Sequence, residues 1–571
     1  LLFLNPEKAG TQAPDQKTQD LMKKTVQFFE KKGLEGIKED DQASEWYEDF
    51  IHFLAEENVL ATLLTPAGYG DEDTRFDLSR MCDFSELTAF YGLSYQYCFQ
   101  VSLLGLSPIW MSGNDTLKNK TARLLKEGGI FAFGMSEKKH GADLYSNQMK
   151  LYPAENGSYR ASGSKYYIGN ANKAALVSVF GRMADTDGFV FFTADPEDEH
   201  YKLQKKIHTS GVRPAFVGEF SLKDYPVTED DILSKGRDAW DASLSTVNIG
   251  KFQLGFASAG ICQHAFYEAL NHADNRVLYG QKVTDFSHVK HLFTESYARI
   301  TAMKLYALRA VDYFRSSSEK DRRYLLFNPI QKMKVTKQGM EVIDMLLDVV
   351  AAKGFEQDTY MEMAIRDIGM IPRLEGTSHV NMALVIKFME NYFFNEEEFE
   401  DIPVRREAKD DSNLFNQTTG KLASVTFPYY RKSYEGVSLP NVLIFLEQTD
   451  LFREMLYKAP PTEQQQKDHN FMLHLGELFT MAVYAQLVLE NARLHKVNDD
   501  LTDYMFTFMV GDFAQFALAH LSQFDLTGDQ ETYLEKMLKR PHKNSSRDQR
   551  IWEELVLPLK SSYGVKTGSA E

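Results

Sequence analysis

The stretch "GMIPRLEGTSHVNM", Gly369 to Met382, sets one acidic residue, Glu375, between a proline-bearing approach and a run that returns to helical apolar spacing. A carboxylate just ahead of a helix is stabilised by the helix dipole without doing any chemistry. Held instead in an apolar cleft, the same carboxylate has its pKa raised toward neutral and becomes a general base. Other stretches carry residue types that could line such a cleft. Phe133-Gly134-Met135-Ser136-Glu137, followed by Gly141-Ala142-Asp143, reads as a strand end entering a glycine-containing loop, for which an ordinary turn is the plainest account. "GSKYYIGN", Gly163 to Asn170, is an aromatic pair ending at glycine, a pattern that alternating burial in a sandwich also produces. Arg276-Val277-Leu278-Tyr279-Gly280 closes a helical pattern and reads as a basic C-terminal cap with a glycine stop. The sequence offers no Gly-x-Gly-x-x-Gly after a strand, no P-loop, no His-Glu-x-x-His and no Gly-x-Ser-x-Gly elbow, which argues against Rossmann, triphosphate, zinc-protease and serine-hydrolase chemistry.

These residues need elements to position them. The chain has 571 residues, too many for one core, so three or four structural units are expected. Residues 1–129 read as helices, with "DLMKKTVQFFEKKG" and "EWYEDFIHFLAEENVL" placing apolar residues at three-and-four spacing. The period then changes, and residues 130–240 read as an antiparallel β-domain, with Asn156-Gly157 between Tyr152 and Tyr159 as a hairpin signal. Helical spacing resumes over 241–400 as a bundle carrying Glu375, and again over 401–571 as an additional C-terminal helical domain. A polar, charge-dense stretch from Asn395 to Gly420 separates the last two units and reads as a linker. The fold class is therefore α+β.

A net charge of −17 repels phosphate backbones and anionic membrane surfaces, so nucleic acid is a poor candidate partner. No run of about 18 uninterrupted apolar residues is present to span a bilayer. Cys82, Cys98 and Cys262 form no Cys-x-x-Cys pair and are odd in number, which points away from a disulfide framework or a structural metal. A reducing, cytoplasmic compartment is the expectation, with the mitochondrial matrix as the alternative if a targeting segment has been removed ahead of Leu1.

Taken together, the motifs match one family in order, type and approximate separation. Phe133 to Asp143 resembles the flavin loop of the acyl-CoA dehydrogenases, Lys165 to Asn170 their "Lys-x-Trp-Ile-Thr-Asn", and Arg276 to Gly280 their "Arg-x-x-Phe-Gly". Arg366-Asp367 with Arg373-Leu374-Glu375-Gly376-Thr377 resembles the stretch holding their catalytic base. Asn248 to Gly255 is similar to the corresponding helix start of the very-long-chain branch, which, like the related acyl-CoA oxidases, also carries an extra C-terminal helical domain.

The resemblance implies FAD as cofactor and a fatty acyl-CoA as substrate. It implies removal of the α-proton by Glu375 and departure of a hydride to flavin N5, giving a trans-2-enoyl-CoA in fatty acid β-oxidation. Phe133, Met135, Ser136, Ala142, Tyr167, Ile168, Gly169 and Thr377 would contact flavin; Ala142, Lys251 and Gly376 would contact substrate. Arg276, Tyr279, Asp348 and Ala352 would reach the flavin of a neighbouring subunit, which makes a homodimer the expected assembly. No metal is implied, and an electron-transferring flavoprotein is the implied acceptor. Departures from the pattern are Ala142 for Ser, Gly169 for Thr, Asp348 and Ala351-Ala352 for Gln and Gly-Gly, and Lys251 for Arg. An oxygen-using acyl-CoA oxidase and a non-catalytic acyl-CoA-binding protein on the same fold remain the alternatives.

Overall fold

The computed structural model describes residues 2–417 and 420–564. Thr418 and Thr419, within the charge-dense stretch 395–420, lie outside the described residues.

The N-terminal unit is helical. Its first long helix, α1 (Gln16–Ala43), is started by Asp15, whose carboxylate accepts from the Thr18 amide at 2.9 Å. Among the helices that follow, α2 (Leu78–Tyr91) and α3 (Leu93–Met111) bear on the site. Helix α3 is buried over all but its last residue, so its glutamines and serines have had to find partners inside the protein.

Strands occupy 130–235: β1 (Ile130–Gly134), β2 (Lys150–Pro153), β3 (Tyr159–Gly169), β4 (Ala174–Met183), β5 (Phe189–Ala194), β6 (Tyr201–Lys206), β7 (Val217–Val227) and β8 (Ile232–Lys235). They run in the order β6-β7-β3-β2-β4-β5-β8, with β1 beside β4. Asn156 (φ 58°) and Gly157 (φ 73°) turn the β2–β3 hairpin in left-handed backbone, as expected of that pair. The expectation of a purely antiparallel sheet needs one correction. β1 and β2 both run parallel to β4, β1 against Ala174–Val179 and β2 against Arg182–Met183. One strand position beside β4 is thus filled twice, and the loop between β1 and β2, residues 135–149, leaves the sheet at the break. A buried apolar strand such as β4, "AALVSVFGRM", suits parallel neighbours.

Behind the sheet lie α4 (Gly236–Asn275), α5 (Ser287–Arg315), α6 (Thr336–Val350), α7 (Tyr360–Ile368) and α8 (Ser378–Val385). Of the C-terminal helices α9 (Pro440–Lys458), α10 (His469–Leu494) and α11 (Asp499–Gln523), α10 and α11 cover the outer flank of α5 and α9 packs against α11. Arg309 pairs with Glu490 at 2.9 Å, Arg299 with Asp512 at 3.0 Å, and Asn491 donates to the Leu305 carbonyl at 2.7 Å. One hydrophobic core runs through the N-terminal, bundle and C-terminal helices, and the β-domain keeps a second of its own. Helix α10 is long and apolar enough to cross a membrane, but 78% of its apolar window is buried inside the protein, the condition of a core helix.

Candidate active site

A cavity of about 1310 Å³ opens where the loop after β1, the end of β3, α3, α4 and the loop before α8 converge. The loop after β1 is fastened at both ends. Lys165, fully buried on β3, donates to the Met135 carbonyl at 3.0 Å and to Glu137 at 3.1 Å. Glu137 in turn accepts from the Gln148 and Met149 amides at 2.8 and 2.9 Å. Ser136 spends its hydroxyl on the Tyr166 carbonyl at 2.7 Å. Burial pushes the Lys165 amine down to about 8, against the opposing pull of Glu137.

Phe133 lines the cavity from the end of β1, Met135, Ser136 and Ala142 from this loop, and Tyr167 and Gly169 from β3. Tyr167 sits at an irregularity in the β3–β7 pairing with φ 63°, which leaves it 61% exposed. Ile168 departs from expectation: strand alternation turns it into the β-domain core, and it does not line the cavity. Arg276, Tyr279, Asp348 and Ala352 also lie away from the cavity. Arg276 follows α4, Tyr279 is 97% exposed in a two-strand turn, and Asp348 and Ala352 are exposed around the end of α6.

Gly169 lacks a side chain for a steric reason. A β-carbon there would lie 2.7 Å from Val101 and 2.8 to 2.9 Å from the ring and hydroxyl of Tyr97, both on α3. The space has been taken over by Tyr97.

Glu375 lies in the turn before α8, whose cap is Thr377, so it is not part of the helix. Its backbone is left-handed (φ 50°), followed by Gly376 (φ 88°). The residue as a whole is half-buried because it borders the cavity, but its carboxylate is turned inward. Oε1 accepts from Gln100 Nε2, which also donates to the Gly250 carbonyl at 3.0 Å. Oε2 is buried and has no hydrogen-bond partner. A β-carbon on Gly250 would come within 2.9 Å of that oxygen, so the glycine permits the close approach of α4. Burial raises the Glu375 pKa to about 7, held back by the Gln100 hydrogen bond and by the charges of Lys251 and Lys332.

Lys251 of α4 is buried at the cavity wall, and its amine is lowered by burial to about 8. Lys332 is fully buried and donates to the Pro372 carbonyl at 2.6 Å and to the Gly376 carbonyl. Gly376 and Thr377 complete the rim. Arg366 and Asp367 stand behind this turn. Arg366 pairs with Asp41 and Glu362, and Asp367 accepts from the amide of Val212 at 2.8 Å, holding that residue at φ 46°. Their placement ties α7 to α1 and to the loop before β7. Sequence reading missed Tyr97, Gln100 and Lys332; the one signal available was polar residues inside otherwise apolar helical runs, since buried polar groups demand partners.

Two family models match the chain, the acyl-CoA dehydrogenase middle domain over residues 132–225 and the acyl-CoA dehydrogenase C-terminal domain over 238–390. Residues 132–225 and 238–390 are thus acyl-CoA dehydrogenase middle and C-terminal domains, of a family of flavoprotein oxidoreductases that use FAD. It is 22% identical to the short-chain specific acyl-CoA dehydrogenase of Megasphaera elsdenii, covering 64% of this chain and 95% of that protein. It is 24% identical to the mitochondrial very long-chain specific acyl-CoA dehydrogenase of Bos taurus, covering 48% of this chain and 43% of the bovine protein. The fold matches the structure of an acyl-CoA dehydrogenase complexed with FAD from Bacillus anthracis, with a TM-score of 0.75 at 18% identity over 98% of this chain and 97% of that one. That likeness extends through the C-terminal helices.

The residues present fit such a cofactor. The cavity exceeds the roughly 300–1,000 Å³ of ordinary small-molecule sites, giving room for FAD beside a substrate. Its wall offers aromatic and small residues from the β1 loop and β3, and a buried carboxylate oxygen awaits a partner on the facing side.

Proposed function

We propose that this protein converts a fatty acyl-CoA thioester into its trans-2-enoyl-CoA, with Glu375 as the base that takes the α-proton. One observation carries the reading: Glu375 Oε2, buried in the cavity wall, unpartnered, on a carboxyl group whose pKa has been raised to about 7. A base poised near the working pH is half-ionised there and accepts a proton with little penalty. Gln100 fixes the other oxygen, so the free one has a defined direction. Lys251 and Lys332 steady the carboxylate before the proton arrives. Bound FAD supplies the acceptor for the hydride that leaves the adjacent carbon. Phe133, Met135, Ser136, Ala142, Tyr167, Gly169 and Thr377 are proposed to hold it, and Ala142, Lys251 and Gly376 to touch substrate.

Glu375→Gln keeps the shape of the side chain and removes the base. FAD-loaded Glu375→Gln should retain flavin absorbance and lose enoyl-CoA formation; turnover near the parent rate would remove Glu375 from this role. Electron transfer to a flavoprotein acceptor is proposed over direct use of oxygen, because Tyr97 fills the space that Gly169 leaves. Stoichiometric hydrogen peroxide without an added acceptor would reverse that choice. We also propose a homodimer in which the exposed Arg276, Tyr279, Asp348 and Ala352 meet the partner's cofactor. The three cysteines are free and buried, which supports a reducing compartment, cytoplasmic or mitochondrial.

A further inference from the structure

The turn that carries Glu375 is gripped from an unexpected direction. Between Ile330 and α6 the chain makes a short π-helical turn, Gln331–Val335, a local widening often found at functional sites. The side chain of Gln331 donates to the Phe252 carbonyl and packs where a β-carbon on Gly255 would stand, within 2.7 Å, so this turn is seated on α4 a turn beyond Lys251. From that seat Lys332 extends its ammonium to two carbonyls, Pro372 O at 2.6 Å and Gly376 O. Those carbonyls flank Arg373, Leu374 and Glu375. Asn381 adds a second donor to Gly376 O at 3.2 Å. Between the gripped points Glu375 keeps a left-handed backbone at φ 50°, a conformation that costs free energy and persists only where its surroundings hold it.

We propose that Lys332 is a positioning residue for Glu375, clamping both ends of the turn that carries the carboxylate and supplying one of the two buried ammonium groups that stabilise its charge. The proposal rests on the reading of Glu375 as the base. Alternative donors could have satisfied the two carbonyls without charge; a buried ammonium is costly, and its expense is consistent with a second task. The titratable groups acting on Lys332 are Glu375, which favours its charge, and Lys251 and Lys337, which oppose it; burial is the largest influence and brings its pKa down to about 7. Lys332, Lys251 and Glu375 therefore titrate as one coupled set, and a pH profile reports the set.

The sign of the effect follows. Removing the cation makes the carboxylate harder to ionise, so the acid limb of the kcat/KM profile moves to higher pH. An opposite charge at short range shifts a pKa by about one unit or more. Lys332→Met removes charge and donors together, whereas Lys332→Gln keeps donors and removes the charge. With the full-length FAD-loaded protein, Lys332→Met should exchange the backbone amides of 373–377 about tenfold faster or more, and lower kcat more than it alters KM. Its acid limb should rise by about one pH unit, with flavin absorbance and thermal midpoint kept. Lys332→Gln should recover most of the amide protection and keep the displaced acid limb. Parent-like exchange together with a parent-like acid limb in Lys332→Met would overturn the proposal. If Lys332→Met does not fold, an undisplaced acid limb in Lys332→Gln overturns it. Glu375→Gln, measured alongside, separates the two ideas: retained turnover there sinks the base assignment, while amide exchange in the Lys332 variants still judges the clamp.

Discussion

Gly250→Ala is the sharpest test of how the site is assembled. The added methyl would stand 2.6 Å from Leu104 Cδ2, 2.9 Å from Glu375 Oε2 and 3.1 Å from Gln100 Nε2. Contacts under about 3 Å force a shift, and overpacking of this kind costs about 1–3 kcal/mol. In its favour, alanine in a helix interior regains about 1 kcal/mol over glycine. All three crowded atoms are ends of side chains, so backbone has no need to move and net destabilisation should be about 2 kcal/mol or less. What moves is the proposed catalytic apparatus: the carboxylate, its glutamine donor, and the leucine beside them. A misplacement of about 1 Å in a reacting group is worth about a hundredfold in rate. The expected result is a folded, yellow protein with a nearly unchanged thermal midpoint and kcat/KM reduced about a hundredfold. Steady-state turnover with an acyl-CoA and an artificial electron acceptor, paired with thermal unfolding, measures both. Activity within about twofold of the parent would refute the placement of Oε2 against α4.

Gln100→Leu removes the hydrogen bond that favours the ionised form of Glu375. A hydrogen bond to a charged group contributes about 1.5–3 kcal/mol, so the acid limb of kcat/KM should rise by about one to two pH units; an unmoved limb counts against the pairing. In the parent protein that limb should lie near pH 7, activity falling as pH drops and the carboxylate takes up its proton. Glu375→Gln should also alter stability with pH. The folded pKa of about 7 lies above the ordinary 4.5, so the native state holds the proton more tightly and loses stability as pH rises through that window. The variant's thermal midpoint should therefore exceed the parent's above pH 7 and meet it near pH 4, and equal midpoints at high pH would remove the claim that this carboxylate is buried at a cost.

Much of this could be read from local pattern. The switch from helical to strand spacing near Gly129, and back near Trp240, depends on neighbours in sequence, and the structure places strands between Ile130 and Lys235. The family and its cofactor class were legible because short motifs hold cofactor-facing turns whose residue types are narrowly constrained. The rest depended on distance. β1 and β2 share a position beside β4 through pairings that no local spacing records. Gln100 meets Glu375 across 275 residues, and Lys332 meets Gly376 across 44. Helix α3 is buried on every side, so it has no polar face against which Tyr97 or Gln100 would stand out. Ile168 stands apart for the opposite reason: the motif spans three successive strand residues, and alternation sends the side chain of the middle one to the other face.

Departures from the family pattern look like losses when each is taken singly, and like substitutions when their neighbours are seen. Gly169 carries no hydroxyl, but Tyr97 brings a ring and a hydroxyl to within 2.9 Å of where a side chain would begin. Lys251 gives up the planar fork of arginine, and a second buried amine, Lys332, adds its charge toward Glu375. Gly250 leaves the carboxylate free to lie against α4. Tyr97 and Gly250 stand on α3 and α4, the two helices that face Glu375, while the turn holding the carboxylate keeps Glu375-Gly376-Thr377. A site losing its function would relax first at the costly groups, the buried carboxylate and the two buried amines. All three lie within electrostatic range of one another, each with its pKa brought toward neutral by burial. That arrangement is expensive to maintain and suits the proton transfer proposed for Glu375.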